Sequence, residues 1–329
     1  MLITGQIFLD KTSQEGLIIR MGNGYLKIKE KIDRKELIIL DGGVGTELQK
    51  RGIEMDGSWC GSASLNTEIL KQIHLDYIEA GAEIITANTY ASSRLMLESA
   101  GLGGNFEEIN EKAVNSAKSA RREVENKDIL IAGSLSHRLP IADGAAQSDP
   151  NNNISEERLR ENCEEMAEFL SSQGCDLIVL EMMYHPERIK AVFDAAKKTQ
   201  KPIWAGFSVR RSEKGEVISF TEEADIPFAE MLEIIKDYNL EAAGIMHSAV
   251  DIISDAVEIL KSFYDGPIMA YPDSGGWVSP NWEFDKIIKP DALLSTAKRW
   301  SEEGVQIIGG CCGLSPEHIQ AISTLKSLN

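Results

Sequence analysis

The stretch VQIIGGCCGLSPEH, residues 305–318, contains one complete structural unit of the chain. Val305 to Ile308 are apolar and β-prone, and Gly309-Gly310 stop the run. Two adjacent cysteines follow, and Ser315-Pro316-Glu317 reads as a helix start, with serine at the cap and proline at the first helical position. The same order of short apolar run, polar or glycine turn and long amphipathic stretch recurs from about residue 37 onward. The apolar runs are ELIILD (36–41), EIITAN (83–88), ILIAGS (129–134), LIVLE (177–181), IWAGFS (203–208), AAGIMH (242–247), PIMAYPD (267–273) and VQIIGG (305–310), eight in all. They are mostly apolar without strict alternation, as strands buried on both faces are. Helical patterns lie between them. TEILKQIHLDYIEAG (67–81) offers Thr67 as N-cap and a closing glycine. SEERLRENCEEMAEFLSSQG (155–174) offers Ser155 as N-cap and acids in its first turn, with Arg158 where a capping box would place glutamate or glutamine. Eight such units predict an α/β fold, a single closed (β/α)8 TIM barrel over residues 37–329; an open doubly wound sheet is the competing arrangement. Residues 1–36 form an N-terminal extension that reads as a hairpin around Gly22-Asn23-Gly24, with Met21 as an alternative start.

Bulk properties narrow the function. A chain of 329 residues with 43% hydrophobic composition can bury a large core. The formal charge of −18 opposes binding to nucleic acid or anionic membrane. No apolar run approaches the ~20 residues of a membrane span, and no signal-peptide pattern opens the chain. Five cysteines, an odd number, predict free thiols in a reducing cytoplasm rather than a disulfide framework. A homo-oligomer is compatible with the sequence and is not required by it.

In a barrel of this kind the reactive groups sit at the C-terminal ends of the strands. The eight runs end at Asp41-Gly42-Gly43, at Asn88-Thr89-Tyr90, at Ser134 with His137 behind it, at Glu181, at Ser208 and Arg210, at His247, in YPDSGG (271–276), and at Cys311-Cys312. Taken singly, each has an ordinary structural explanation: Asp41 as a turn cap, His247 as a hydrogen-bonded core histidine, the cysteines as inert buried thiols. Glu181 follows four apolar residues, so its carboxylate needs a partner, either a ligand or a buried ion pair. Together, His247, Cys311 and Cys312 form a donor set suited to zinc, and three protein ligands leave the open position that a catalytic zinc requires.

These motifs resemble the homocysteine S-methyltransferase family, whose members include betaine-, S-methylmethionine- and cobalamin-dependent enzymes. The resemblance runs from about Leu37 to the C-terminus and is carried by LDGGVGTELQKRG (40–52), HLDYIEAGAEIITANTY (74–90), AGSL (132–135), VLEMM (179–183), YPDSG (271–275) and GGCCG (309–313). It implies a (β/α)8 barrel, and a zinc held by three cysteines of which two match Cys311 and Cys312. It implies that homocysteine sulfur takes the open position and attacks a methyl group on a small onium donor, giving methionine. Asp41 and Glu181 match positions that hold the amino-acid part of homocysteine, and the expected substrate-binding set along these motifs is Asp41, Gly42, Thr46, Asn88, Glu181, Tyr271, Asp273 and Ser274. Two departures stand on the rim. GIMH (244–247) puts His247 where the family has its first zinc cysteine and Met246 where it has asparagine, and SLSH (134–137) replaces Ser-x-Gly-Pro. His247 is therefore expected as the third metal ligand, the rival being that the metal site is lost. Trp59, Tyr90, Trp277 and Trp282 are candidates for an aromatic enclosure of the onium methyl group, or for packing under loops. A zinc-dependent demethylase or lyase of a sulfonium or betaine compound, and a metal-free binding protein, are the competing functions on the same barrel.

Overall fold

The computed structural model describes residues 24–124, 128–140 and 154–327. All eight apolar runs are strands: β1 (Ile38–Ile39), β2 (Ile84–Thr86), β3 (Leu130–Leu135), β4 (Leu177–Met183), β5 (Ile203–Phe207), β6 (Ala242–Ala249), β7 (Ile268–Asp273) and β8 (Val305–Ile308). They pair in parallel in the order β1-β8-β7-β6-β5-β4-β3-β2. A parallel bridge between Leu40 and Ile84 joins the two ends of that sheet, with Asp41 N donating to Ile84 O at 3.1 Å and Glu83 N to Ile39 O at 2.9 Å. The sheet is thus a barrel ringed by helices, not an open doubly wound sheet. Two antiparallel hairpins that the sequence did not announce extend the rim, over residues 209–219 after β5 and 276–283 after β7.

The period-2 alternation of a strand sorts its residues into two cores. Ile39, Ile131, Ile178, Leu180, Ala270 and Ile308 face the surrounding helices. Ile38, Leu40, Leu130, Ala132, Leu177, Val179, Met269 and Ile307 point into the barrel. The inward set carries the functional parity with it. Ser134 follows Ala132, Glu181 follows Leu177 and Val179, and Asp273 follows Met269 and Tyr271, so these polar groups face the barrel mouth where the strands end.

The extension differs from expectation. Residues 24–33 are helical, so Gly24 to Glu30 do not form the second strand of a hairpin; residues 1–23 lie outside the described part. The decisive pattern is Tyr25, Ile28 and Ile32, one helical stripe that is fully buried in the barrel-interior core. Trp204 Nε1 donates to Tyr25 Oη at 2.9 Å inside that core. The helix therefore plugs the end of the barrel opposite the rim. Ile28→Ala should cost about 2–4 kcal/mol in denaturant unfolding while leaving substrate KM values unchanged, because it opens a cavity only in that floor.

Helix starts agree with the sequence to within a residue. Ser155 caps its helix by accepting from Arg158 N at 3.2 Å. The helix Thr67–Glu79 begins with Thr67 itself, and Asn66 stands at the cap. All five cysteines are free thiols, as expected. Among the described residues no helix is long and apolar enough to cross a membrane.

Candidate active site

The rim encloses one deep cavity of about 280 Å³, close to the lower end of the roughly 300–1,000 Å³ typical of small-molecule sites. Of the expected residues, Asp41, Gly42, Asn88, Glu181, Tyr271, Asp273, His247, Cys311 and Cys312 line it. Thr46 and Ser274 do not. Thr46 Oγ1 accepts from Gly313 N at 3.1 Å, and Ser274 N donates to Cys312 O at 3.0 Å, so both brace the cysteine turn from behind.

That turn depends on close backbone approach. Gly310 N donates to Asp41 O at 3.0 Å and Cys311 N to Pro272 O at 2.7 Å, which pins the cysteines between the ends of β1 and β7. A Cβ on Gly42 would stand 2.3 Å from Leu314 O, and one on Gly43 2.7 Å from Cys311 O, so the LDGG stretch has no room for side chains. Gly313 closes the turn with a φ of +80°, a region glycine adopts without penalty. In a strand, neighbouring side chains point to opposite faces. Here β8 has already ended at Ile308, and the turn brings both sulfurs to the same cavity, 4.0 Å apart.

His247 completes the group. Its Nδ1 lies 3.5 Å from Cys311 Sγ, and the donor atoms of His247, Cys311 and Cys312 all fall within 4.8 Å of one another. Tetrahedral zinc with bonds of ~2.3 Å to sulfur and ~2.0–2.1 Å to nitrogen has S···S and S···N edges of about 3.8 and 3.6 Å, so the donor spacing fits the ion. The other ring nitrogen, Nε2, faces Asp273 Oδ2 at 3.7 Å, the side on which a ligating imidazole needs a carboxylate. This aim is imposed by the backbone. β6 carries a register irregularity between Met246 and Ala249, and His247 itself has φ +40°. Trp59 (φ +55°) and Met182 (φ +54°) are likewise left-handed and likewise line the cavity. Each such residue costs on the order of 1–3 kcal/mol, and three of them on one wall mark a surface shaped for something other than stability.

Two carboxylates face the same space. Asp41 accepts from Thr86 N at 2.6 Å and Thr86 Oγ1 at 2.9 Å, and Glu181 accepts from Ser134 Oγ at 2.6 Å. Burial pushes both carboxyl groups up to about 7, against the hydrogen bonds that hold them down. No lysine or arginine among the described residues pairs with either, which removes the buried ion-pair explanation of Glu181 and leaves room for a ligand's cation.

The aromatic side chains also stand at the cavity. Trp59, Tyr90, Trp277 and Trp282 all line it, with Trp59 packed edge-on against Trp277 at 5.3 Å and Tyr90 at 5.9 Å. Their enclosure already holds a cation of the protein itself. The Arg138 guanidinium lies 5.6, 5.4 and 5.7 Å from the rings of Trp59, Tyr90 and Trp277. Neither this nor the place of Tyr184 and Phe220 on the wall could be read from the residues alone; only the departure at His137, one residue earlier, pointed to the segment. His137 itself is buried behind the wall, accepting from Tyr184 N at 3.3 Å, with burial depressing its pKa to about 3. Met246 accepts from Met182 N at 2.8 Å through its sulfur.

A model of the family described as homocysteine S-methyltransferase matches residues 38–325. The chain belongs to the homocysteine S-methyltransferase family. It is accordingly a methyltransferase. The homocysteine S-methyltransferase YbgG of Bacillus subtilis is 29% identical over 90% of this chain and 96% of its own length. A selenocysteine methyltransferase of Astragalus bisulcatus is 26% identical over 88% of this chain and 92% of its own. The metallated form of the Escherichia coli homocysteine methyltransferase MmuM superposes with a TM-score of 0.71 at 24% identity, covering 91% of this chain and 99% of that one, and so shares the fold.

Proposed function

We propose that this chain transfers a methyl group from a small onium donor of the S-methylmethionine or betaine type to the thiol of homocysteine, giving methionine, with zinc held by His247, Cys311 and Cys312. The observation that carries the proposal is the convergence of that donor set with two carboxylates, Asp41 buried and Glu181 partly buried, neither ion-paired to a lysine or arginine among the described residues, in one cavity. When bound, zinc supplies the Lewis acidity that lets a thiol lose its proton near neutral pH while its sulfur stays nucleophilic.

The residues account for the rest. Asp41 and Glu181 take the acceptor's ammonium group by charge-assisted hydrogen bonds, which fixes the end of the molecule remote from sulfur. The acceptor's thiol proton passes to solvent, an S–CH3 bond forms, and the donor's onium–CH3 bond breaks, releasing a neutral sulfide or tertiary amine. No general base is needed at carbon. The Asp273 carboxylate, 3.7 Å from Nε2 of His247, favours the tautomer protonated there, with Nδ1 toward the cysteines as the neutral donor. With imidazole in place of a third thiolate the site carries one negative charge less. Cys311 is held well above the ordinary thiol range by Cys312 and by burial, so metal uptake must release protons and tighten as pH rises.

Purified protein should contain stoichiometric zinc by elemental analysis. Chelation should abolish methionine formation, and added zinc should restore it. The decisive assay screens S-methylmethionine and betaine with and without homocysteine. Undiminished turnover after complete metal removal would overturn the zinc assignment, donor demethylation that needs no thiol would favour the lyase alternative, and metal-free protein with no turnover on any donor would favour the binding protein.

A further inference from the structure

Arg138 is a mostly buried cation on the cavity wall, and no carboxylate among the described residues neutralises it. Its Nη1 donates to Tyr90 Oη at 3.2 Å, and its Nε has no hydrogen-bond partner. No carboxylate among the described residues lies within ion-pair distance of the guanidinium. Neither Asp41 nor Glu181 pairs with it, although all three line the same cavity. Three aromatic faces hold the guanidinium without supplying an anion. Such faces stabilise a cation by ~0.5–2 kcal/mol apiece, short of what a desolvated charge requires, whereas a planar five-donor fork matches a carboxylate bidentately. The aromatic enclosure cannot also receive a second, free onium centre at the same spot, because like charges would be buried together.

We propose that Arg138 is the receptor for a carboxylate on the methyl donor, so that the donor is a zwitterion whose onium centre lies outside the aromatic enclosure and whose carboxylate points into it. The inference rests on the methyl-transfer reading above, whose S-methylmethionine- and betaine-type donors both carry a carboxylate, and assigns recognition of that carboxylate to Arg138: simple sulfonium or quaternary ammonium ions lacking one are poor ligands. Charge then runs across the cavity in one sense. Asp41, Glu181 and Asp273 lie toward the strand ends, Arg138 among the loop aromatics, and a zwitterion is oriented as it enters.

The test uses the zinc-loaded full chain and two probes, dimethylsulfoniopropionate and trimethylsulfonium, with binding read from the fluorescence of Trp59 and Trp277, which flank the guanidinium. The parent should bind the carboxylate-bearing probe on the order of 30-fold more tightly, and R138M should reduce that preference to about 2-fold or less. R138K, which keeps charge but not the fork, should fall between. Homocysteine affinity, measured separately by calorimetry, should change little in all variants. The proposal fails if R138M keeps the preference, or if R138M weakens homocysteine instead, which would assign the subsite to the acceptor's carboxylate. If R138M does not fold, R138Q and R138K carry the same comparison. Should the parent methylate no thiol from any donor, the activity reading falls, and the binding preference still decides the role of Arg138.

Discussion

Serine in place of Cys311 or of Cys312 should leave the purified protein without stoichiometric zinc and lower methyl transfer by about 10³-fold or more, since metal catalysis of this kind contributes several kcal/mol. Each sulfur occupies one corner of a three-donor set whose spacing already fits the ion, 4.0 Å between sulfurs and 3.5 Å from Cys311 to His247. A hydroxyl at either position is a far poorer ligand at neutral pH. The turn itself should survive, because it is held by backbone bonds from Gly310 and Cys311 and not by the thiols. Melting temperature of the metal-free forms should therefore stay close to that of the metal-free parent. His247→Ala should weaken zinc by at least ~10-fold, and His247→Cys should keep the metal. Full zinc occupancy in both serine variants would end the assignment, and a metal-free protein whose thiol count rises on reduction would replace it with a disulfide between neighbours.

The second large effect concerns the carboxylates. Asp41→Asn and Glu181→Gln should each weaken homocysteine binding on the order of 10- to 100-fold, the loss expected for a charge-assisted hydrogen bond, with zinc content unchanged. Calorimetric titration measures it, and unchanged affinity in both variants would sink the assignment. Stability moves the other way. In the fold each carboxyl group titrates near 7 because burial penalises its ionised form, against about 4 in the unfolded chain. A raised acid contributes stability that is complete below the unfolded value and is lost as pH rises through the folded one. The Gln variant escapes that loss. It should be more stable than the parent at pH 8, by up to about 3 kcal/mol, and nearly indistinguishable from it near pH 4. Binding follows the same titration: an ammonium ligand selects the ionised carboxylates, so affinity should fall as pH drops below 7, with protons released on binding above that of buffer controls.

Most of the architecture could be read from the chain because a doubly buried strand announces itself as an uninterrupted apolar run, and eight such runs at regular spacing have few ways to pack. The residues that stop each run were legible for the same reason: alternation and strand ending together aim Glu181 and Asp273 inward. Three features were not. The helix at residues 24–33 was masked by Asn23-Gly24, a turn signal that outweighed the helical spacing of Tyr25, Ile28 and Ile32. The left-handed backbone at Met182 and His247 coincides with register shifts in their strands, which a single residue's tolerance of positive φ does not announce. Arg138 was invisible because its meaning lies in three rings contributed by loops 48 to 139 positions away in the chain, two of them tryptophans and one a tyrosine.

The helix that plugs the barrel floor has a consequence for traffic. Among the described residues Tyr25 and Ile28 fill one end of the barrel, so substrates and products pass the other end, bordered by the loops that carry Trp59 and Trp277. Under the assignment proposed above, the acceptor lies against the strand ends and the donor against those loops. The molecule beneath must then enter first and leave last, so the order of loading is dictated by depth. Under that assignment loading is last-in, first-out, because the helix closes the far end of the barrel.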